Sequence, residues 1–175
     1  MTEPGWAVWI TGLPASGKSS LSKALKGKLS DIGVQVQILE SDVLRKVLTP
    51  KPTYGQEERY TFYNALVYIG WLLVNNGVNV IFDATANKRE WRAAARRRIE
   101  KFIEVYIRCP LEVCMERDPK GIYRKAANGE AFNVPGVQKE YEEPVMAEIE
   151  LDCLMDSPGV SADRVMEAMS RNGFL

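Results

Sequence analysis

Apolar residues fall into short blocks separated by stretches of helical spacing. Trp6-Ala7-Val8-Trp9-Ile10 is a continuous apolar run that stops at Thr11-Gly12, the pattern of a strand buried on both faces that feeds a loop. From Ser19 the residues Leu21, Ala24, Leu25, Leu29 and Ile32 repeat at helical spacing, and Gly33 supplies a stop. A second strand is predicted over 34–39, ending at Glu40-Ser41-Asp42, and a helix over about 57–76 with Gly77 behind it. A third strand over 78–82 ends at Asp83, a basic helix covers about 88–101, and a fourth strand covers 103–108. Pro110 suits the first turn of a short helix reaching about 117. The polar stretch 118–143 holds Gly121, Gly129, Pro135 and Gly136 and reads as a mobile excursion. A last strand at 149–152 and a helix over about 162–171 close the chain. Strands and helices alternating in this way predict a parallel five-stranded sheet with helices on both faces, a three-layer α/β sandwich.

The loop after the first strand carries the chemistry. Gly12-Leu13-Pro14-Ala15-Ser16-Gly17-Lys18-Ser19 matches the phosphate-loop pattern G-x-x-x-x-G-K-S/T at every fixed position. The glycines let backbone N–H groups turn inward around a phosphate, and the helix that starts there adds its partial positive charge. Lys18 is expected to bridge the β- and γ-phosphates of ATP, the Ser19 hydroxyl to ligate Mg²⁺, and Ser20 and Arg117 to complete the nucleotide side. The fold class is therefore a P-loop NTPase of the nucleotide-kinase-like kind, and the activity an ATP-dependent phosphotransfer.

Acidic residues supply the second constellation. Glu40 and Asp42 follow one strand and Asp83 ends another, and in open α/β sheets these carboxyl ends face the ligand crevice. Catalysis is assigned to Lys18, Asp42 and Asp83, and the metal to Ser19 and Asp42. Which of Glu40, Asp42 and Asp83 serves as base stays open. Arg117, Lys120, Arg124 and Lys125, in a region rich in glycine, fit a lid over about 118–143 that brings cations to the developing charge. Arg92, Arg96, Arg97 and Arg98 read as a solvated helix face, since alanines rather than aromatics interleave them.

Composition narrows the partners. The chain has 175 residues, the length of one domain, with 23 basic and 23 acidic side chains, so no net basic surface suggests nucleic acid. It has no histidine, which removes His-dependent triads and His-ligated zinc. Cys109, Cys114 and Cys153 lack CxxC spacing and are expected to be reduced core thiols of a cytoplasmic protein. The longest apolar run, 65–74, is too short to span a bilayer, and the N-terminus lacks the basic region of a signal peptide.

At the lid the residues become specific. Arg117-Asp118-Pro119-Lys120-Gly121-Ile122-Tyr123-Arg124-Lys125-Ala126, then Gly129-Glu130, Pro135-Gly136-Val137 and Tyr141-Glu142-Glu143-Pro144, resemble the adenylyl-sulfate kinase family. Its pattern there runs close to R-D-x-K-G-L-Y-K-K-A, G-E, F-T-G-I and Y-E-x-P. The resemblance implies transfer of the ATP γ-phosphate to the 3′-hydroxyl of adenosine 5′-phosphosulfate with Mg²⁺, and a homodimer as the assembly to expect. It places Asp42 and Arg45 on the motif D-G-D-N-V-R as its second acid and its arginine. Glu58-Arg59 falls on the D-R of D-R-E-E-N-I-R-R, and Tyr54 on an aromatic that stacks against the acceptor's adenine. Arg45 and Arg59 would then hold the acceptor's phosphosulfate end, with Lys120 in the closing lid.

Departures cluster at the acceptor. Val43 replaces an asparagine, Phe62 stands where the family has an acceptor-contacting asparagine, and Asn64-Ala65 replaces two arginines. Val134 occupies the place of a second stacking aromatic, with Phe132 two residues away, and Asp83-Ala84-Thr85-Ala86-Asn87 replaces S-F-I-S-P. The alternative expectation is a paralogous kinase for another nucleotide conjugate or small hydroxyl acceptor. A nucleotide-binding regulator that transfers nothing and a polynucleotide kinase are further alternatives, the latter suggested by Asp83-Ala84-Thr85.

Overall fold

The computed structural model describes residues 3–175. Five parallel strands, β1 (Ala7–Thr11), β2 (Val36–Glu40), β3 (Asn79–Asp83), β4 (Phe102–Arg108) and β5 (Ile149–Asp152), lie in the order β2-β3-β1-β4-β5. Seven helices accompany them: α1 (Lys18–Asp31), α2 (Ser41–Leu48), α3 (Gln56–Asn75), α4 (Arg89–Arg98), α5 (Leu111–Arg117), α6 (Ile122–Ala127) and α7 (Pro158–Arg171). The phosphate loop leaves the central strand β1, so it opens at the carboxyl edge where β2 and β3 deliver their acids.

The period of two in each strand divides the interior. Val8 and Ile10 of β1 and Ile81 of β3 point to one face, packing on Leu21, Leu25 and Leu29 of α1 and Val165 of α7. Ala7, Trp9, Val80 and Phe82 point to the other, against Phe62 and Leu66 of α3 and Trp91 and Ala95 of α4. On that second face α3 comes so close that a Cβ on Gly70 would lie 2.1 Å from the Phe82 ring, so a residue without a side chain is what lets the helix sit there. Cys114, Tyr123 and Val134 gather beneath the lid as a third apolar cluster.

Several expectations need correction. The excursion 118–143 contains the helix α6, and α2 follows β2 where only a strand end was foreseen. Cys109 and Cys153 are not free thiols. They are joined in a disulfide, Cα–Cα 5.2 Å, because β4 and β5 are parallel neighbours whose ends coincide despite a sequence separation of 44. Cys114 alone matches the reading as a buried thiol. Arg92 is not a solvated residue but is buried, with Nε donating to Glu104 Oε1 at 2.6 Å and Nη2 to the Glu142 carbonyl at 2.6 Å. Its third bond, from Nη1, goes to the Ala86 carbonyl. One side chain thus ties α4 to β4, to the loop after β3 and to the far end of the lid. Among the described residues no helix is long and apolar enough to cross a membrane.

Candidate active site

The phosphate loop has the backbone its sequence requires. Gly12 (φ 154°) and Gly17 (φ 106°) occupy conformations that L side chains rarely adopt, and a Cβ at Gly12 would lie 2.7 Å from the Ile107 carbonyl oxygen. The Lys18 ammonium folds back over the loop and donates to the carbonyls of Gly12 (3.1 Å) and Leu13 (2.8 Å). Burial brings its pKa down to about 8, against the attraction of Asp83 and Asp42. The Ser16 hydroxyl is buried without a partner, an orphan that a bound phosphate would satisfy. The Tyr123 hydroxyl of α6 donates to the Pro14 carbonyl at 2.9 Å, so the lid helix braces the loop from outside.

A cleft of about 1600 Å³ runs from this loop in two directions. Toward β5 it is bounded by Arg117, Asp152, Cys153, Pro158 and Ser161. Arg117 is fixed there by Nη2 donating to the Cys153 carbonyl at 3.1 Å. Ser19 and the exposed Ser20 also line the cleft.

The acids meet where β2 and β3 end. Glu40 pairs with Asp83 in the sheet register, and Asp42 lies in the first turn of α2. Asp83 is buried, with its pKa raised by that burial, while the Ser19 hydroxyl and Lys18 pull the other way. Asp42 is largely exposed and is ion-paired with Lys120, whose pKa is raised. For Lys120 burial acts downward and is the largest single influence, but the hydrogen bond to Asp42 together with the charges of Asp42, Asp83 and Glu40 outweighs it. The two carboxylates therefore differ in surroundings: Asp83 is a dry neighbour of Ser19, and Asp42 faces the lid. A hydroxyl and carboxylate oxygens form the hard donor set that suits Mg²⁺, which takes few protein ligands and completes its shell with water and phosphate. Among the described residues no group of three His, Cys, Asp or Glu side chains is poised to hold a metal ion.

On the other side of the loop the cleft is lined by Arg45, Tyr54, Arg59, Lys120, Phe132 and Val134. Phe132 is exposed and offers a ring to the cleft, whereas Val134 is aliphatic and buried. Phe62 is also buried and is covered by Arg45. Arg59 lines the wall but is engaged: Nε donates to Tyr54 O at 2.9 Å, Nη1 to Asn87 Oδ1 at 2.7 Å and Nη2 to Asn133 O at 2.6 Å. It behaves as a strut joining α3, the loop after β3 and the lid.

Two residues that the sequence placed in motifs without giving them a role organise this wall. Asn87 receives Arg59 and donates to the Glu140 carbonyl at 2.8 Å. Glu58 accepts from the backbone N–H groups of Thr53 (2.6 Å) and Tyr54 (3.2 Å) and from Arg45 Nη1 (3.2 Å). Those bonds hold its carboxyl below the ordinary value despite the opposing cost of desolvation. The signal for Glu58 was its place three residues after Gly55, where a carboxylate reaches back over a helix N-terminus. Asn87 stood out only as part of a segment that departs from the family pattern, and its bonding role was hidden because its partners lie 28 and 53 residues away.

Comparison with known proteins agrees with this geometry. The sequence pattern of the family described as adenylylsulphate kinase matches residues 4–152. A probable adenylyl-sulfate kinase of Archaeoglobus fulgidus is 43% identical over 147 residues, covering 84% of this chain and 95% of that protein. The adenylyl-sulfate kinase of Rippkaea orientalis is 34% identical over 175 residues, covering 100% and 97%. Among solved structures, the Mycobacterium tuberculosis APS kinase CysC in complex with AMPPNP and APS superposes with TM-score 0.90 at 32% identity, covering 95% of this chain and 98% of that one. Shikimate kinase from Aquifex aeolicus, at 15% identity and TM-score 0.59, shares the fold alone. With its phosphate loop, paired acids and lid in this arrangement, the chain belongs to the adenylylsulphate kinase family.

Proposed function

We propose that the chain transfers the γ-phosphoryl group of ATP to the 3′-hydroxyl of adenosine 5′-phosphosulfate. The observation that carries this reading is the fold-wide match to a kinase solved with AMPPNP and APS, in a chain whose own phosphate loop is complete. In this reading the loop amides and Lys18 hold the β- and γ-phosphates, and Arg117 borders the adenine. Mg²⁺, when bound, neutralises phosphate charge, and Ser19 with the acids at the strand ends would hold it. Asp42, the solvated carboxylate on the lid side, takes the proton of the acceptor hydroxyl. Asp83, buried beside Ser19, orients the metal's surroundings. Lys120 reaches Asp42 across the cleft, so the lid closes over the transferring group and excludes water. Tyr54 and Phe132 offer rings to the acceptor's adenine, and Arg45 a cation to its phosphosulfate.

The test is a panel of acceptors with MgATP: adenosine 5′-phosphosulfate, adenosine 5′-phosphate, a hexose and a 5′-hydroxyl oligonucleotide, followed by ADP release. Preference for adenosine 5′-phosphosulfate by at least about 100-fold in kcat/KM is expected, the discrimination a site built around a polar group can deliver. Turnover of another acceptor in its place would refute the assignment.

A further inference from the structure

The geometry points to Phe62 as a positioning residue for the acceptor: its ring fixes the Arg45 guanidinium so that the N–H edge meets a tetrahedral oxyanion, phosphate or sulfate. The inference deepens the proposed function and rests on its placement of the acceptor beside Arg45. The Arg45 guanidinium carbon stands 3.9 Å from the centroid of the Phe62 ring and 4.9 Å from that of Tyr54, and Nη1 donates to Glu58 Oε1 at 3.2 Å. The residue is 6% exposed, yet the rest of its guanidinium donates to no group among the described residues, and its side chain lines the cleft. Phe62 is 1% exposed and takes no part in the cleft wall, so it acts through Arg45.

A guanidinium binds either through its flat face or through the donors at its edge. With Phe62 on the face and Glu58 on one nitrogen, only the remaining edge is open, and that edge matches two oxygens of a tetrahedral anion. Arg59, beside it, has donors on all three nitrogens committed to protein acceptors. An asparagine at position 62, as in the related pattern, would offer hydrogen bonds of its own. Phenylalanine offers none, so recognition of the anion concentrates on Arg45.

Three variants test this: Phe62→Leu, which keeps an apolar filling but removes the π face, Phe62→Tyr, which keeps the ring, and Phe62→Leu in an Arg45→Met background. In steady-state kinetics Phe62→Leu is expected to raise the KM for adenosine 5′-phosphosulfate by about 3- to 30-fold, the span of a desolvated cation–π contact. kcat and the KM for ATP stay within about 2-fold, Phe62→Tyr behaves as wild type, and in the Arg45→Met background Phe62→Leu adds nothing. An equal rise in the KM for ATP, or an undiminished effect without Arg45, would reduce Phe62 to core filling and overturn the proposal.

A second readout does not need the acceptor assignment. The Arg45 side-chain N–H resonance is followed by NMR while inorganic sulfate is added to the wild type and to Phe62→Leu. A saturating shift in the wild type with a midpoint several-fold weaker in Phe62→Leu supports the proposal even where adenosine 5′-phosphosulfate is not turned over. No shift in the wild type, or equal midpoints, overturns it.

Discussion

Lys18 is held at a cost, and replacing it exposes that cost. Its pKa falls from 10.5 to about 8 because the ammonium is buried above the phosphate loop. At about 1.4 kcal/mol per tenfold change in proton affinity, the charged lysine destabilises the fold by roughly 3 kcal/mol below pH 8. In Lys18→Met this term disappears, but the carbonyls of Gly12 and Leu13 lose their donor, which returns about 1–2 kcal/mol. The net expectation at pH 7 is a variant more stable by about 1–2 kcal/mol and inactive in transfer. The pH trend is the sharper signature. Between pH 8 and 10.5 the unfolded chain still holds the lysine proton while the folded protein has released it, so wild-type stability rises with pH. Methionine has nothing to titrate, and its advantage should shrink by roughly 3 kcal/mol across that window and change sign. Urea unfolding of both proteins at 25 °C without nucleotide, at pH 7, 8, 9 and 10, measures the difference directly. A gap that stays constant with pH would refute the reasoning.

Asp83→Asn should abolish phosphoryl transfer while stabilising the protein at neutral pH. Burial raises the Asp83 pKa, so its stabilising contribution is complete below the unfolded value of 3.8 and is lost as pH rises through the folded value. The stability difference from wild type should therefore be present in melts at pH 7 and vanish as pH approaches 4. Arg92→Ala removes the nearer partner of the buried Glu104 carboxylate, leaving it only Arg96 at 3.6 Å, and should cost about 3 kcal/mol in urea melts. Arg92→Ala with Glu104→Gln should recover part of that loss.

The residues show why some of this was legible in sequence. A central parallel strand is buried on both faces, so β1 reads as an unbroken apolar run, and the phosphate loop is confined to one continuous segment. Helix α2 was missed although Val43, Leu44, Val47 and Leu48 fall at helical spacing: it is only eight residues long, and its one buried residue is a charged one, Arg45. Arg92 looked like a surface charge because its partners, Glu104 and the carbonyls of Ala86 and Glu142, are assembled only by folding. Arg59 was matched to the acceptor by its place in a motif; that it also ties Tyr54, Asn87 and Asn133 together was not legible, because the last two lie far away in sequence. The cysteine pairing depended on the β4–β5 register, which strand patterns alone do not specify.

The central claim is the site of phosphorylation, and ³¹P NMR of the product tests it most directly. Purified protein with MgATP and adenosine 5′-phosphosulfate should convert the acceptor to a species carrying a new 3′-phosphomonoester resonance with the phosphosulfate resonance retained, and Lys18→Met should leave the acceptor unchanged. ATP consumed with no new phosphomonoester on that acceptor would contradict the account.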